Sequence, residues 1–256
     1  MLFKAKTLKA YKLHGHDGEI GRVNQFYFDD QHWAIRYLVA NTGGWLTGRQ
    51  VLISPYALLA VDKAAEHIDI DLTKKQIEDS PALESDKPVS RQFEESYNGY
   101  FGWPAYWVGP LMWGYYPNIL RDRTQRKETG LEHKTWDAHL RSTDAVSGHH
   151  IQANDGDIGH VQDFIIDAET WAIRYLIVDT KNWWPGKMVL VSTQWIERVS
   201  WDESKVFVNL SREDIKQSPE YFEQNSLTRD YEAQLHHHYG RQGYWPEETI
   251  SNGHSH

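Results

Sequence analysis

The sequence predicts a mainly β protein in which two copies of a small antiparallel barrel or sandwich follow one another, each succeeded by short helices. The strongest observation is a repeat, because the segment Trp33 to Leu38 returns unchanged as Trp171 to Leu176. A second observation is that the first copy contains about six short apolar runs separated by turn residues, which is typical of small barrels and sandwiches. Further matches at the same spacing continue along most of the chain without insertion or deletion, and this indicates a duplicated folding unit.

The first strands of the copy follow from turn residues and apolar spacing. A short strand is expected over Ala10 to Leu13, followed by a turn at Asp17-Gly18, where glycine reaches a positive φ without a Cβ clash. Spaced apolar residues over Glu19 to Phe28 predict a strand with one wet face, bent near Gly21. The run Trp33 to Asn41 is apolar on both faces, so we expect it to be a central strand.

Shorter strands and two helices complete the copy. The remaining strands are expected at Gln50 to Ser54, Leu58 to Val61 and His67 to Leu72. Thr73 is suited to cap a short helix over Lys74 to Asp79. A second helix is expected from Arg91 to about Asn98, and its counterpart in the second copy begins at Thr228, with Gly240 just past its end.

An uncharged aromatic segment, Tyr97 to Leu120, separates the two copies. Its four glycines and three prolines exclude a continuous membrane-spanning helix. We interpret this segment as an irregular aromatic strap that packs across a barrel or between the two barrels. Were it exposed instead, it would form a partner-binding patch around Trp103, Trp107 and Trp113.

Length and the repeat together divide the chain into four parts. The 256 residues suffice for two domains of ordinary size, each with its own core. We predict a first barrel at 1–81, then a helix, the strap and a charged linker at 82–137, a second barrel at 138–219, and a C-terminal helix and flexible tail at 220–256. Within these parts, Arg121 to Thr135 is expected to be mobile and residues 250–256 disordered.

Composition narrows the function. Lys and Arg number 27 against 36 Asp and Glu, a net charge of −9, which argues against nucleic acid as a partner and against association with anionic membranes. The absence of cysteine excludes disulfides, thiolate nucleophiles and cysteine-type zinc sites. Met1 to Lys6 lacks the apolar run of a secretory signal, so a cytoplasmic location is expected.

The candidate site residues are charged positions that occur in both copies. They are Asp17, Asp29 and Arg36, with Asp155, Asp167 and Arg174 as their counterparts. An aspartate before glycine usually fixes a turn through nearby backbone N–H groups, and an active-site carboxylate is the less favoured interpretation. An arginine in an apolar strand needs a partner, so we expect a structural pair with the preceding aspartate; anion binding is the alternative.

The sequence gives no indication of a catalytic or metal-binding motif. His236 to His238 lie on a predicted helix, where adjacent side chains point about 100° apart and cannot all face one ion. No serine-histidine-aspartate order, phosphate-binding glycine loop or His-Glu-x-x-His helix is present. We therefore expect no catalytic residue, no cofactor and no metal site.

The ordered set of motifs in each copy resembles the PRC-barrel family. The set comprises an Asp-Gly-x-Ile-Gly turn, an aspartate ending the next strand, an Arg-Tyr-Leu strand and a Gly-x-x-Val-Leu segment ending in serine. In this chain they are Asp17, Gly18 and Gly21, Asp29, Arg36 to Val39 and Gly48 to Ser54, then Asp155, Gly156 and Gly159, Asp167, Arg174 to Ile177 and Gly186 to Ser192. The later Ser/Thr-Arg-x-aromatic-Glu helix and Trp-Pro pair are similar to those of tandem bacterial members.

The resemblance implies two tandem small antiparallel PRC-type β-barrels used as interaction modules. Related barrels occur in the photosynthetic reaction-centre H subunit, after a membrane helix, and in a ribosome-maturation factor, after a separate domain. Neither accompanying part precedes Ala10, so what the resemblance implies is docking to another protein, or to itself as a homodimer, without inherited catalytic residues. The alternative function is a small-ligand sensor or an enzyme with a pocket between the barrels, built from Trp45, Trp183 and the two arginines.

Overall fold

The computed structural model of the chain describes residues 1–46, 51–82, 89–122, 124, 140–180, 186–223 and 227–245. Each copy forms a seven-stranded mixed sheet, and with short helices after each sheet the protein is mainly β, which confirms the predicted fold class. Most of the linker predicted to be mobile, and the tail predicted to be disordered, lie outside the described residues.

The first copy follows a short leading segment. That segment is β1 (Leu2–Lys4) and α1 (Ala5–Leu8). The strands of the copy are β2 (Lys12–Gly15), β3 (Gly18–Asp29), β4 (Ala34–Asn41), β5 (Val51–Ile53), β6 (Leu58–Asp62) and β7 (His67–Ile70). The helices after them are α2 (Lys74–Glu78) and α3 (Arg91–Phe101). In space the strands run β5-β4-β3-β2-β7-β6.

The second copy repeats this layout. Its leading segment is β8 (Leu140–Ser142) and α4 (Thr143–Val146). Its strands are β9 (His150–Ala153), β10 (Gly156–Asp167), β11 (Ile173–Asp179), β12 (Met188–Ser192), β13 (Ile196–Ser200) and β14 (Lys205–Val208), in the spatial order β12-β11-β10-β9-β14-β13. Its helices are α5 (Arg212–Gln217) and α6 (Arg229–His238).

A tight corner makes each sheet curl. In the first copy the edge strands β5 and β6 are joined by Ser54 and the single 3-10 turn Pro55–Ala57. Four residues span at most roughly 14 Å, so the two edges of the sheet must approach each other at this corner. The Ser54 hydroxyl accepts a hydrogen bond from the Tyr56 amide and fixes the turn, and Ser192 makes the same contact with the Gln194 amide.

One strand pair per sheet is parallel, so the sheets are mixed, whereas the sequence predicted antiparallel barrels. Leu13 of β2 lies beside Ile68 of β7, and Ile151 of β9 beside Val206 of β14, with the strands running in the same direction. The reason is the corner, because a 3-10 turn carries the chain onward instead of reversing it. Consequently β6 continues the direction of β5, and β7 returns parallel to the first strand of its sheet.

Gly21 and Gly159 allow the long central strands to bend. Their φ angles are +152° and +142°, and a Cβ at either position would lie 2.1 or 2.0 Å from the carbonyl oxygen of Asn41 or Asp179. Register shifts follow shortly afterwards in β3 and β10, at matching positions of the two copies. The bend predicted near Gly21 is therefore produced by a close backbone approach that only glycine permits.

The two copies exchange their leading strands. Leu2 of β1 pairs with Asp167 of β10 in the second sheet, whereas Leu140 of β8 pairs with Asp29 of β3 in the first sheet. Both pairings are antiparallel and occupy corresponding registers. Each sheet is therefore completed by a strand that belongs, by sequence, to the other copy.

A pseudo-two-fold axis runs between the copies at Ala34 and Ala172, which form an antiparallel bridge. On either side of it the Ile35 amide donates to the Trp171 carbonyl at 2.8 Å, and the Ile173 amide donates to the Trp33 carbonyl at 2.6 Å. Both tryptophans adopt left-handed φ angles, +52° and +57°. These uncommon conformations direct the two carbonyl groups toward the opposite copy. Each copy therefore donates one backbone hydrogen bond to the other and accepts one from it.

The helices begin and end at specific capping residues. Thr73 and Gln76 form a capping box at the start of α2, as the sequence predicted for this N-cap. Helix α3 runs three residues beyond its predicted end, and Gly102, with φ +68°, provides its left-handed C-cap. Among the helices that the structure describes, none combines the length and apolar character needed to cross a bilayer.

Candidate functional site

The aspartate of each Asp-Gly turn accepts hydrogen bonds from a helix that lies 57 residues further along the chain. The carboxylate of Asp17 accepts hydrogen bonds from the Lys74 amide at 2.9 and 3.0 Å, and that of Asp155 accepts from the Arg212 amide at 2.8 Å. These amides lie in the first turns of α2 and α5, not in the turn itself. The repeated aspartate therefore holds the helix after each barrel, a role that spacing alone did not reveal.

Arg36 forms the structural pair with Asp29 that was expected. Its Nη2 lies 2.8 Å from Asp29 Oδ2. Burial alone would raise the pKa of the Asp29 carboxyl, but the hydrogen bond from His32 and the Arg36 guanidinium hold that pKa well below its usual range. The Asp29 carboxyl is consequently ionised at neutral pH.

The rest of the Arg36 guanidinium is covered by aromatic rings. It lies 4.0 Å from the ring centroid of Tyr106 and 4.8 Å from that of Trp113, and its side chain has no exposed surface. Within the described residues, its Nε and Nη1 atoms donate no hydrogen bond. An anion from solvent would have to displace the strap to reach them, so the anion-binding alternative receives no support from this geometry.

The second copy repeats this ion pair, but its arginine is more exposed to solvent. Arg174 Nη2 lies 2.8 Å from Asp167 Oδ2 and 3.0 Å from Thr170 Oγ1, and its guanidinium stacks 4.0 Å from the Tyr244 ring. The side chain of Arg174 is 17% exposed, whereas that of Arg36 is fully buried. The two copies therefore share one design but differ in how completely it is enclosed.

A buried carboxylate next to this pair was not identified from the sequence. Glu94 on α3 accepts hydrogen bonds from the hydroxyls of Tyr37 (3.1 Å) and Tyr106 (2.6 Å), and Arg91 Nη1 lies 3.0 Å from its other oxygen. Asn98 Oδ1, one turn further along α3, lies 3.0 Å from the same Tyr37 hydroxyl. We call these five residues the glutamate cluster.

The glutamate cluster is also duplicated. Glu232 accepts hydrogen bonds from the Tyr175 and Tyr244 hydroxyls, each at 2.9 Å, and Arg229 Nη1 lies 3.0 Å from its second oxygen. His236 occupies the position of Asn98, with Nε2 3.0 Å from the Tyr175 hydroxyl and Nδ1 2.9 Å from the Gln242 carbonyl. Since only a protonated nitrogen can donate to a carbonyl, Nδ1 of His236 carries a hydrogen.

Burial dominates the electrostatics of the first cluster. It raises the pKa of Glu94 to about 7, although Arg91, Tyr106 and Tyr37 act in the opposite direction. The same burial, together with the Glu94 charge, raises the pKa of Tyr37 and Tyr106 well above the usual value for a phenol. These groups hold each other within the core, so the arrangement ties α3 and the strap to β4 and offers no open reactive atom.

One sequence signal did point toward this cluster. The Ser/Thr-Arg-x-aromatic-Glu motif places Arg91 and Glu94 three residues apart, on one face of a helix. The motif occurs in both copies, but its partners Tyr37 and Tyr106 are separated from it in sequence and meet it only in the fold. Tertiary packing, not local spacing, defines the cluster.

The strap packs across the first barrel and reaches the second. Trp103 and Trp113 are buried, while Trp107 is partly buried and lies 4.1 Å from the Arg91 guanidinium. The Trp113 ring packs on Tyr56, and its Nε1 donates to the Thr170 carbonyl of the second copy at 3.3 Å. The indoles of Trp103 and Trp113 are therefore occupied in packing and do not present the exposed patch that was the alternative for them.

The histidine tract on α6 diverges as helical geometry requires. His236 is buried against Tyr175, whereas His238 Nε2 lies 2.8 Å from the Asp214 carbonyl on another side of the helix. His237 is exposed. The three imidazoles thus face different surroundings and share no common centre.

The residues proposed for a small-ligand pocket do not line the cavities identified in the described part of the chain. Cavities of about 250, 300 and 360 Å³ occur there, and Trp45, Arg36 and Arg174 line none of these three. The Trp45 indole instead donates to the Ile20 carbonyl at 2.7 Å. Trp183 lies outside the described residues.

Two strongly bent β units, each with the same internal ion pair and the same helix contact, define a duplicated small-barrel module. A family model described as PRC-barrel domain matches residues 2–77 and 151–215, one segment in each copy and together more than half of the chain. The chain therefore belongs to the PRC-barrel domain family. A search of curated proteins finds no match.

Proposed function

We propose that this chain is a non-enzymatic tandem PRC-barrel protein that acts as a protein–protein interaction or assembly module. Two features support this function over catalysis. The repeated ionisable groups, Arg36 with Asp29 and Glu94 with its tyrosines, are engaged with one another inside the core. The cavities named above are not lined by any of these groups.

The observation that carries the proposal is an exposed hairpin within the strap. Backbone hydrogen bonds of 2.9 Å join Leu111 to Gly114 and Trp113 to Tyr116. This turn buries Trp113 but leaves Leu111 40% and Tyr115 51% exposed. We call Leu111 to Tyr116 the strap hairpin. An apolar and an aromatic side chain displayed together on a tight turn are suited to contact with another protein.

The strap hairpin is also pre-organised. Gly114 has φ +76°, and a Cβ there would lie 2.7 Å from the Val108 carbonyl oxygen; at Gly109, with φ +118°, a Cβ would lie 2.5 Å from the Gly114 carbonyl oxygen. Such close backbone packing restricts the hairpin before any partner binds, which lowers the conformational entropy lost on association. The second copy offers no aromatic residue at the matching positions, Thr249 to His254.

A different protein is favoured as the partner over a second copy of this chain. The surface through which one barrel pairs with another is already used internally, since β1 and β8 are exchanged and Ala34 meets Ala172 at the axis. The chain therefore already pairs two barrels within itself. A homodimer through the strap hairpin is the remaining form of self-association, and stoichiometry distinguishes it.

Native mass spectrometry of untagged protein purified from its source cells tests the proposal. We expect a complex of defined stoichiometry with another protein, and its loss in the double variant Leu111→Ser/Tyr115→Ser. Phe222→Ser is the matched control, because Phe222 is a similarly exposed aromatic, 53%, in the second copy. This control should retain the partner.

Two outcomes would overturn the proposal. A bare monomer in every preparation would remove the docking function, and a reproducible small-molecule adduct would favour the ligand-binding alternative. A partner retained by the double variant would place docking elsewhere on the surface. A cytoplasmic location belongs to the same proposal and is checked by fractionation of the source cells.

A further inference from the structure

Two neighbouring parallel strands carry metal-ligating side chains on the outer face of the first barrel. Leu13 of β2 and Ile68 of β7 are fully buried, so the alternating residues His14, His67 and Asp69 face outward. One ligating atom from each of these three lies within 4.8 Å of the other two. The side chain of His67 is 19% exposed and that of Asp69 is 44% exposed, so solvent and ions can reach the group.

The spacing of these atoms is close to what a metal ion requires. Two ligands of a tetrahedral zinc ion, bound at about 2.0–2.1 Å, lie roughly 3.3 Å apart. His67 Nε2 and Asp69 Oδ1 are already separated by 3.3 Å. The His14 and His67 rings stack with centroids 4.5 Å apart and planes 24° apart, so the side chains must rotate before both nitrogens point at one ion.

We call His14, His67 and Asp69 the triad. Both positively and negatively charged side chains surround it. Glu19 lies opposite His14 in the register of β2 and β3, but Lys12 Nζ occupies its carboxylate at 2.8 Å, so we do not count it as a ligand. Two residues further along the same face, His16 Nε2 lies 2.8 Å from Asp71 Oδ1. The triad therefore supplies three ligands and leaves the remaining coordination positions to water or to a donor from another molecule.

The duplication provides an internal comparison. At the positions of His14, His67 and Asp69 the second copy has Gln152, Lys205 and Phe207, on the same pair of parallel strands. The backbone therefore does not require histidine or aspartate at these places. The first copy alone therefore combines two imidazoles and a carboxylate at these positions, whereas the glutamate cluster and the arginine pairs are present in both copies.

We propose that His14, His67 and Asp69 form a binding site for a divalent transition-metal ion of the zinc class. Two imidazoles and one carboxylate suit Zn²⁺, Co²⁺, Ni²⁺ or Cu²⁺ in preference to Mg²⁺ or Ca²⁺, which prefer oxygen ligands. The ion would link β2 to β7, the parallel pair that the corner of the sheet brings together. This site is independent of the docking function proposed above.

Titration of the full chain with Zn²⁺ by isothermal calorimetry, and with Co²⁺ by visible absorption, tests the site. We expect a site of one-ion stoichiometry in the wild type. The variants His14→Gln and His67→Lys introduce the residues that the second copy carries, so the fold should tolerate them. Each should weaken this site at least about 10-fold, since loss of even an outer-sphere partner of a metal site costs that much.

The histidine tract on α6 is the main source of competing sites. The control variant His237→Gln/His238→Gln removes its two outer imidazoles and should leave the site unchanged. The proposal is overturned if the wild type binds no ion more tightly than His14→Gln/His67→Lys does. It is equally overturned if the tract variant, and not the strand variants, abolishes binding.

Discussion

At the scale of single residues, the buried carboxyl groups of Asp29 and Glu94 differ in how neighbouring groups compensate their charge. Asp29 has His32 and Arg36 as donors, and its pKa is lowered although burial acts the other way. Glu94 has Arg91 and two tyrosines, yet burial prevails and its pKa is raised to about 7. One carboxylate therefore contributes a permanent charge to the core, and the other titrates near neutral pH.

The first prediction concerns the pH dependence of stability caused by Glu94. The ordinary glutamate pKa is 4.5 and the folded value is about 7, so between these values the folded chain holds a proton that the unfolded chain has lost. Stability from this group is consequently present at low pH and falls as pH rises through that window. Glu94→Gln removes the titration.

The free energy of unfolding of the wild type, minus that of Glu94→Gln, should decrease by about 3 kcal/mol between pH 5 and pH 8. Urea denaturation at a series of pH values measures both terms, and circular dichroism verifies that the variant folds. A difference that stays constant or increases with pH would show that Glu94 does not have a raised pKa.

The second prediction compares the two buried arginines. Arg36→Ala leaves Asp29 charged and enclosed, and breaking a buried ion pair in this way costs about 3–5 kcal/mol. Arg174→Ala should cost less, because Arg174 is partly exposed and Asp167 also accepts from Thr170 at 2.8 Å.

Denaturant midpoints of the two arginine variants measure this difference. The double variant Asp29→Asn/Arg36→Met removes both charges, so it should be less destabilised than the sum of its single substitutions. Equal costs for Arg36→Ala and Arg174→Ala would contradict the assignment of the more enclosed pair to the first copy.

At the scale of elements, the bend in β3 depends on one glycine. The third prediction is that Gly21→Ala destabilises the protein by at least about 2 kcal/mol, because alanine is strained at φ +152° and its Cβ would collide with the Asn41 carbonyl. Gly44→Ala is the control, since a Cβ there meets nothing within 4 Å. Thermal denaturation should show a clear loss for Gly21→Ala and little change for Gly44→Ala; similar results for both would argue against the close approach.

The elements also show how far sequence reasoning reaches. Strands such as β3 and β4 were predictable within one or two residues, because apolar alternation and turn residues are local signals. The pairing of β2 with β7 was not predictable from local signals, since it depends on the direction that the chain takes after the 3-10 turn. The strap was predicted to pack on the barrels, but whether an individual residue such as Trp113 or Tyr115 faces the core depends on a turn within it.

The candidate site divides in the same way. Arg36 and Asp29 are seven residues apart on adjoining strands, so their pairing followed from sequence and the structure contains it. The glutamate cluster joins residues 57 positions apart, Tyr37 and Glu94, and no local pattern encodes such a contact. The triad on β2 and β7 likewise depends on a parallel register that was not predicted.

At the scale of the whole molecule, strand exchange makes each copy part of the other. Leu2 of β1 and Leu140 of β8 each complete the sheet of the opposite copy, and the strap passes from the first barrel to the Thr170 carbonyl of the second. If one sheet unfolds, the strand that its copy contributes to the other sheet is lost as well, so the other sheet is destabilised. We therefore expect the two barrels to unfold as one cooperative unit, although they are separate duplicated folding units in sequence.

The fourth prediction tests this coupling with matched core substitutions. Ile70 and Val208 occupy corresponding buried positions on β7 and β14, away from the exchanged strands. Ile70→Ala should destabilise by about 2–5 kcal/mol and lower the melting temperature of the entire protein by roughly 5–15 °C. Scanning calorimetry should show a single transition in the wild type, in Ile70→Ala and in Val208→Ala, with the calorimetric enthalpy equal to the van't Hoff enthalpy. If either substitution splits the transition, so that one half melts early and the other keeps its wild-type temperature, the exchanged strands do not couple the barrels.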